Sequence, residues 1–348
     1  MQTSPLNAAD PERAATLEAY AGSRTRAQGG EAAVLDPAAW PPAQTLLYDA
    51  SWRAAIQVEG PDARKWLNGM ISANVRDLPV GRVLPAFQLD PKGHILATLE
   101  VASISSDGFL LLTTEDQRAE LLERLRKFVF VSKLTLADLS EGWSPLVLRG
   151  PEWRRVWAAA GEAEIDAAAG ACLSRTAAAG EELAVVSAPG GIPQLEFWAP
   201  PARLATLWSR LQPLATVAGS ATAERDRILS RIPRYGVDVT AAELPQETGQ
   251  SDRLDFTKGC YVGQEIVERI RARGGVHRRW VSLALEAAAA PGTALEVEGQ
   301  PAGRLTSVAP RAGAWLGLGY LRQPHAVPGA VVTAGGIKAR VEPERAEP

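Results

Sequence analysis

Residues 255–274 read DFTKGCYVGQEIVERIRARG and hold Cys260, one of only two cysteines in 348 residues. Gln264 to Arg273 has helical spacing, with Ile266, Val267 and Ile270 on one face and Glu265 and Arg269 four apart. Gly274 is a natural stop for that helix. Cys260 then lies in the loop ahead of a helix N-terminus, two residues after Lys258. Both the helix end and the ammonium favour the thiolate, the reactive form. Gly259 and Gly263 strip side-chain bulk from the loop, so that a ligand can approach the backbone. Two readings stand on the residues alone: a reactive loop, or a buried structural cysteine with a lysine nearby by chance.

Around this stretch the composition is that of a globular α+β protein. Apolar residues make up 46% and charged residues 22%, and the net charge is −3. No global basic field is present, so direct nucleic-acid binding is not expected. Cys172 and Cys260 form no CxxC pair, and His94, His277 and His325 form no ligand set, so no metal site is predicted. Cys172 sits in an Ala-rich stretch and reads as structural. Asp10, Glu12, Arg13 and Glu18 leave no apolar core for a secretory signal, and no run of about 18 apolar residues suggests a membrane span. A cytoplasmic chain with reduced thiols is expected.

Residues 1–45, rich in Ala, Gly, Pro and charge, read as a flexible leader with one short helix near 10–20. A repeat then appears. Ile56-Gln57-Val58-Glu59-Gly60-Pro61-Asp62-Ala63-Arg64 is echoed 90 residues later by Leu146-Val147-Leu148-Arg149-Gly150-Pro151-Glu152-Trp153-Arg154. Each is a strand, a Gly-Pro break and an acid-led helix start. The echo predicts two related αβ halves, over 46–145 and 146–275. Helices are expected over 114–129, 201–211 and from 222 to about 231. From 276 to 348, short strands punctuated by Gly and Pro predict a small β-barrel of about six strands.

Lys258-Gly259-Cys260-Tyr261-Val262-Gly263-Gln264-Glu265 matches in full the K-G-C-[FY]-x-G-Q-E signature of the YgfZ-type folate-binding proteins, relatives of the glycine-cleavage T-protein aminomethyltransferase. Trp66 to Val75 resembles that family's L-Q-G-Q-x-T-x-[DN]-V. Arg231 to Asp238 and Leu244 to Glu247 resemble its I-P-x-x-G-x-[DE] and P-x-E segments. Gly303 to Ser307 and Leu318 to Leu321 resemble its last-domain motifs. The resemblance covers about residues 46–340. It implies a three-domain, ring-like arrangement around a folate pocket, with tetrahydrofolate, which in cells is often polyglutamylated, as ligand. It also implies a role with iron–sulfur proteins or their assembly factors. The family's functional residues are the Lys and Cys of the signature, which makes Lys258 and Cys260 the candidate catalytic pair. Gly259, Tyr261, Gly263, Gln264 and Glu265 shape the loop.

The chain departs from the aminomethyltransferases where they place a carboxylate on a strand after a Gly-Gly turn. Leu96 and Ala97 fall there, and Glu100, the nearby acid, reads as a solvated strand residue. Without that carboxylate proton transfer has no obvious agent there, which counts against aminomethyl transfer. Glu196 matches the final acid of a pattern that reads the pterin edge, with a surface strand Glu as the alternative. Asn74 matches a family position in the first half, with turn capping as its alternative. Arg225, Arg227, Arg231 and Arg234 read as a solvated face, or as contacts for a polyglutamate tail. The alternatives are a folate-dependent aminomethyltransferase or methyltransferase, and a non-catalytic folate-binding regulator of tRNA modification.

Overall fold

The computed structural model describes residues 44–177 and 180–344. The expected leader and its helix lie outside the described residues but for the last two positions.

The 90-residue echo becomes two copies of one strand-to-helix unit. In the first, β2 (Arg53–Glu59) leads through Gly60 into α1 (Ala63–Met70). In the second, β7 (Ser144–Arg149) leads through Gly150 into α3 (Trp153–Ala159). Gly60 has φ +140 and Gly150 φ +143. A Cβ on Gly60 would lie 2.4 Å from the Lys133 carbonyl oxygen, and one on Gly150 3.0 Å from Cα of Thr45. Glycine is required at both by backbone angle and by room.

The first sheet runs β3 (Val83–Leu89), β4 (Ile95–Ser103), β5 (Gly108–Thr114), β2, β6 (Thr135–Asp138), all antiparallel. The second runs β8 (Ala171–Ala177), β9 (Gly180–Ser187), β10 (Gln194–Ala199), β7, β1 (Leu46–Asp49), β11 (Thr216–Val217). β1 precedes the first unit in the chain, yet it lies in the second sheet between β7, to which it is antiparallel, and the edge strand β11, to which it is parallel.

Helices α1 and α2 (Glu115–Arg126) cover the first sheet, burying Trp66, Leu67, Leu121, Leu122 and Leu125 against Ile56, Val58 and Phe109. α3 and α4 (Pro201–Leu211) cover the second through Trp153, Val156, Leu204 and Leu207. Each aliphatic side chain so buried contributes roughly 1.5–3 kcal/mol. The opposite faces of the sheets meet through Ala55, Ala102, Leu110 and Leu112 on one side and Cys172, Leu183, Val185 and Trp198 on the other. Cys172 is thus core, as expected. Its thiol donates to the Arg82 carbonyl at 3.5 Å, and burial, opposed by Arg82, raises its pKa to about 11.

The C-terminal strands close into a six-stranded barrel ordered β12 (Arg278–Leu285), β15 (Ala314–Arg322), β14 (Gln300–Arg311), β13 (Ala294–Val297), β16 (Val331–Ala334), β17 (Ile337–Val341). The α+β class, the two related halves and the terminal barrel are therefore as the sequence predicts. The barrel rests on α5 (Ser220–Leu229), where Ile228 and Leu229 meet Ala309, Leu316 and Leu318. The helix expected over 114–129 ends at Arg126, and Phe130 and Val131 beyond it are 89% and 94% exposed.

Candidate functional site

The loop of the signature begins with an acid-built turn. Asp255 Oδ1 accepts from the amides of Thr257 at 2.7 Å and Lys258 at 2.9 Å, and from the Thr257 hydroxyl. It ends in helix α6, Gln264–Arg273, the span read from the sequence, with Gly274 at its C-cap in the left-handed region. The N-cap is Gly263 at φ +85. A Cβ there would lie 2.6 Å from the Asp90 carbonyl oxygen, and one on Gly93 would lie 3.0 Å from Ile266. The two glycines let the turn before β4 and the start of α6 interlock. Among the described side chains of α6 the ion pair is Arg271–Glu268 at 3.4 Å, one helical turn apart.

Lys258 is buried, with 4% of its surface exposed. Its Nζ donates to the carbonyls of Asn68 at 2.6 Å, Ile71 at 2.7 Å and Ala73 at 2.6 Å. These groups lie at and just past the C-terminal end of α1, where helix carbonyls have no intrahelical donor and the dipole is negative. The Val262 amide donates to the neighbouring Gly69 carbonyl at 3.3 Å. All three ammonium protons are therefore in use. Burial pulls the Lys258 pKa down to about 7, with Asp255 opposing and Arg76 adding to the drop.

Cys260, two residues on, is exposed. Its loop neighbour Tyr261 is buried among Phe87, Leu89, Ile95, Val239 and Val267, with the Lys258 ammonium 5.0 Å from its ring centroid. Gly259 has no atom within 4 Å of a built Cβ, and Glu265 is exposed while Gln264 is half-buried. Asn74 lies on the loop whose carbonyls Lys258 holds. There it bonds the Asp77 carboxylate at 2.9 Å and accepts from the Arg76 amide at 3.1 Å, closing a turn.

Glu196 belongs to a different cluster. It is 7% exposed on β10, and its Oε1 accepts from Trp198 Nε1 at 2.8 Å and Arg53 Nε at 3.3 Å. Arg53 also binds Glu100 at 2.6 Å, and Arg253 approaches the other Glu100 oxygen at 3.3 Å. Glu100 is thus not the solvated strand residue its sequence position suggests. Burial pushes its carboxyl up, but Arg53 and Arg253 outweigh that and hold it below the usual range. Glu196, with burial dominant and only Arg53 and Trp198 in its favour, is raised. Arg53 and Arg253 carry no local signal of this role, because their partners come from other strands. Ala97, at one of the positions where the related enzymes carry acids, is fully buried, and the Leu96 carbonyl is taken by Arg124.

The remaining motifs meet at the barrel. Asp238, fully buried, accepts from Thr306, from Ser307 at 2.8 Å and from Arg227 at 2.5 Å. Glu247 binds Arg278 at 3.1 Å. Arg231 pairs with Glu342 at 2.8 Å, and Arg225 donates to the Pro310 carbonyl at 3.1 Å. These arginines hold the barrel rather than forming a solvated face. Among the described residues no three of His, Cys, Asp and Glu come together as a metal-binding group.

The profile described as the GCVT N-terminal domain matches residues 33–258, well over half the chain. The chain belongs to this family. Its KGCYVGQE loop, which begins where that match ends, resembles the YgfZ type within that group. The tRNA-modifying protein YgfZ of Serratia proteamaculans is 29% identical over 265 residues, 73% of this chain and 75% of that protein. A mitochondrial iron–sulfur cluster assembly factor IBA57 homologue of Pyricularia oryzae is 28% identical over 236 residues, 65% of this chain and 54% of the relative. The crystal structure of the glycine cleavage system aminomethyltransferase T of Bartonella henselae superposes with a TM-score of 0.80 at 20% identity, covering 94% of this chain and 88% of that one. The family thus shares the GcvT-like fold. No helix among the described residues is long and apolar enough to cross a membrane.

Proposed function

We propose that this GCVT-family chain is a tetrahydrofolate-binding accessory protein for the assembly or repair of iron–sulfur proteins. Cys260 is the reacting group and Lys258 the residue that positions its loop. The observation that carries this reading is the contrast within three residues: a lysine with every donor committed to α1, and a thiol left facing solvent. A loop anchored so firmly offers its cysteine to another macromolecule at low conformational cost. One thiol cannot hold a cluster alone, which takes about four ligands. Cys260 therefore acts with ligands on a partner, the iron–sulfur protein or its assembly factor. The relative named as an iron–sulfur cluster assembly factor supports this reading.

The folate reading rests on the family and on one fit. The Oε2 of buried Glu196 makes no hydrogen bond among the described residues, while Oε1 takes two. A spare carboxylate oxygen suits the N–H edge of a pterin. Glu196 and Asn74 are the proposed folate contacts, and a polyglutamylated form is included in the proposal. Aminomethyl transfer is disfavoured, because buried Ala97 and the doubly paired Glu100 leave no free acid on β4. The cytoplasm, where a lone exposed thiol stays reduced, is the proposed compartment.

The test is a Cys260→Ala chain returned to a strain lacking the gene. Tetrahydrofolate binding, followed by tryptophan fluorescence, is expected to persist, while recovery of iron–sulfur enzyme activity is lost. Full recovery by Cys260→Ala would overturn the role of the thiol. The relative named as a tRNA-modifying protein supports a second reading, in which folate binding regulates tRNA modification without the thiol. That reading predicts unchanged function after alkylation of Cys260.

A further inference from the structure

The outer face of the barrel carries a hollow of about 260 Å³, lined by Arg278, Gly303, Arg304, Tyr320 and Arg322 among others. Arg278 on β12 stands directly opposite Arg322 on β15 in the antiparallel ladder. Directly opposed like charges in such a ladder repel and destabilise the pair. Arg304 on β14 stands opposite Tyr320 on the same strand β15, bringing a third guanidinium to this face. Arg278 and Arg304 lie 5.1 Å and 5.9 Å from the Tyr320 ring centroid.

The acids present do not balance the three arginines. Glu243, fully buried, takes Arg278 at 3.2 Å and Arg304 at 3.4 Å, and Glu247 takes Arg278 at 3.1 Å. Arg322 has no ion pair among the described residues and is exposed. Tyr320 is 2% exposed, and its hydroxyl has no hydrogen-bond partner among the described residues. Two carboxylates against three guanidinium groups leave this hollow with a net positive charge that an anion would offset.

We propose that this hollow is a binding site for a compact oxyanion, the phosphate or carboxylate group of a small ligand. Arg322 supplies the uncommitted fork, Arg304 and Arg278 the flanking charge. The volume suits one such group with a few attached atoms and is below that of a drug-sized pocket. The site lies on the barrel and is independent of Cys260 and of the folate reading.

The experiment is calorimetric titration of the full chain at pH 7 and fixed ionic strength with inorganic phosphate, with malonate, and with chloride as control. Saturable binding of phosphate or malonate is expected, weakened about tenfold or more in Arg322→Ala, and the better ligand identifies the source of the oxyanion. Arg322→Ala removes an exposed side chain without an ion pair among the described residues and relieves its repulsion with Arg278, so its thermal unfolding should come no earlier than that of the unaltered chain. Binding no stronger than chloride, or equal binding by Arg322→Ala, would overturn the proposal.

Discussion

The helices α1 and α3 begin alike and end differently. Both follow a Gly-Pro break, and both open with an amide bonded back to the glycine carbonyl, Ala63 to Gly60 at 2.9 Å and Trp153 to Gly150 at 3.3 Å. α3 then stops on its own residues. Gly161 sits at φ +77 just past its C-cap, with its amide on the Ala158 carbonyl at 2.9 Å. The position 90 residues earlier is Ile71, extended at φ −130, and α1 has no glycine stop. Its free carbonyls are taken instead by Lys258 and Val262, about 190 residues away. One copy of the unit is closed locally. The other is left open and finished by the loop that bears Cys260, which explains why that loop sits on the first half.

The comparison can be broken most sharply at Lys258. Lys258→Met leaves three carbonyls without a charged donor in a buried place and should cost about 3 kcal/mol in chemical denaturation. The pH profile should change as well. The folded chain releases the Lys258 proton near pH 7, whereas the unfolded chain keeps it to near 10.5. Between those values the unfolded state holds more protons, so this residue makes stability rise with pH above about 7, and the gain is absent below it. Lys258→Met should lack that slope. Stability of the variant equal to the unaltered chain would remove the lysine from the end of α1.

A smaller effect is expected at the matching end of α3. Gly161→Ala meets no neighbouring atom but forces a side chain into the left-handed region, for a loss of about 1 kcal/mol in the same measurement. A loss as large as that of Lys258→Met would mean that the two ends depend equally on their stops. The smallest effect belongs to Cys260→Ser. An exposed residue with no structural bond should change stability by no more than about 0.5 kcal/mol. A larger loss would make the cysteine part of the scaffold it is proposed to exploit.

What was legible in the sequence was what is local. The span of α6, its glycine stop, the 90-residue echo and the barrel strands rest on spacing within a few residues, and each appears as read. The chemistry of the site is not local. Nothing near Lys258 names the carbonyls of Asn68, Ile71 and Ala73, so an activating ammonium was expected where a helix clamp stands. Glu100 looks solvated from its strand, because Arg53 and Arg253 come from other elements. Arg225, Arg227 and Arg231 look like surface charge until the barrel is brought against them. β1 shows the same limit for topology: four apolar-rich residues beside the first unit belong to the sheet of the second.

The placement of β1 also orders events in time. It is among the first described residues to leave the ribosome, yet both its neighbours, β7 and β11, are made more than ninety residues later. At 5–20 residues per second the last of them follows after roughly ten seconds or more. Until β7 is made Leu46, Leu47 and Tyr48 have no strand to pair with, and the first αβ half is complete while the strand that precedes it waits. The nascent chain therefore carries an unpaired apolar strand until Arg149 has been made, and the second sheet is not complete until Val217 has emerged.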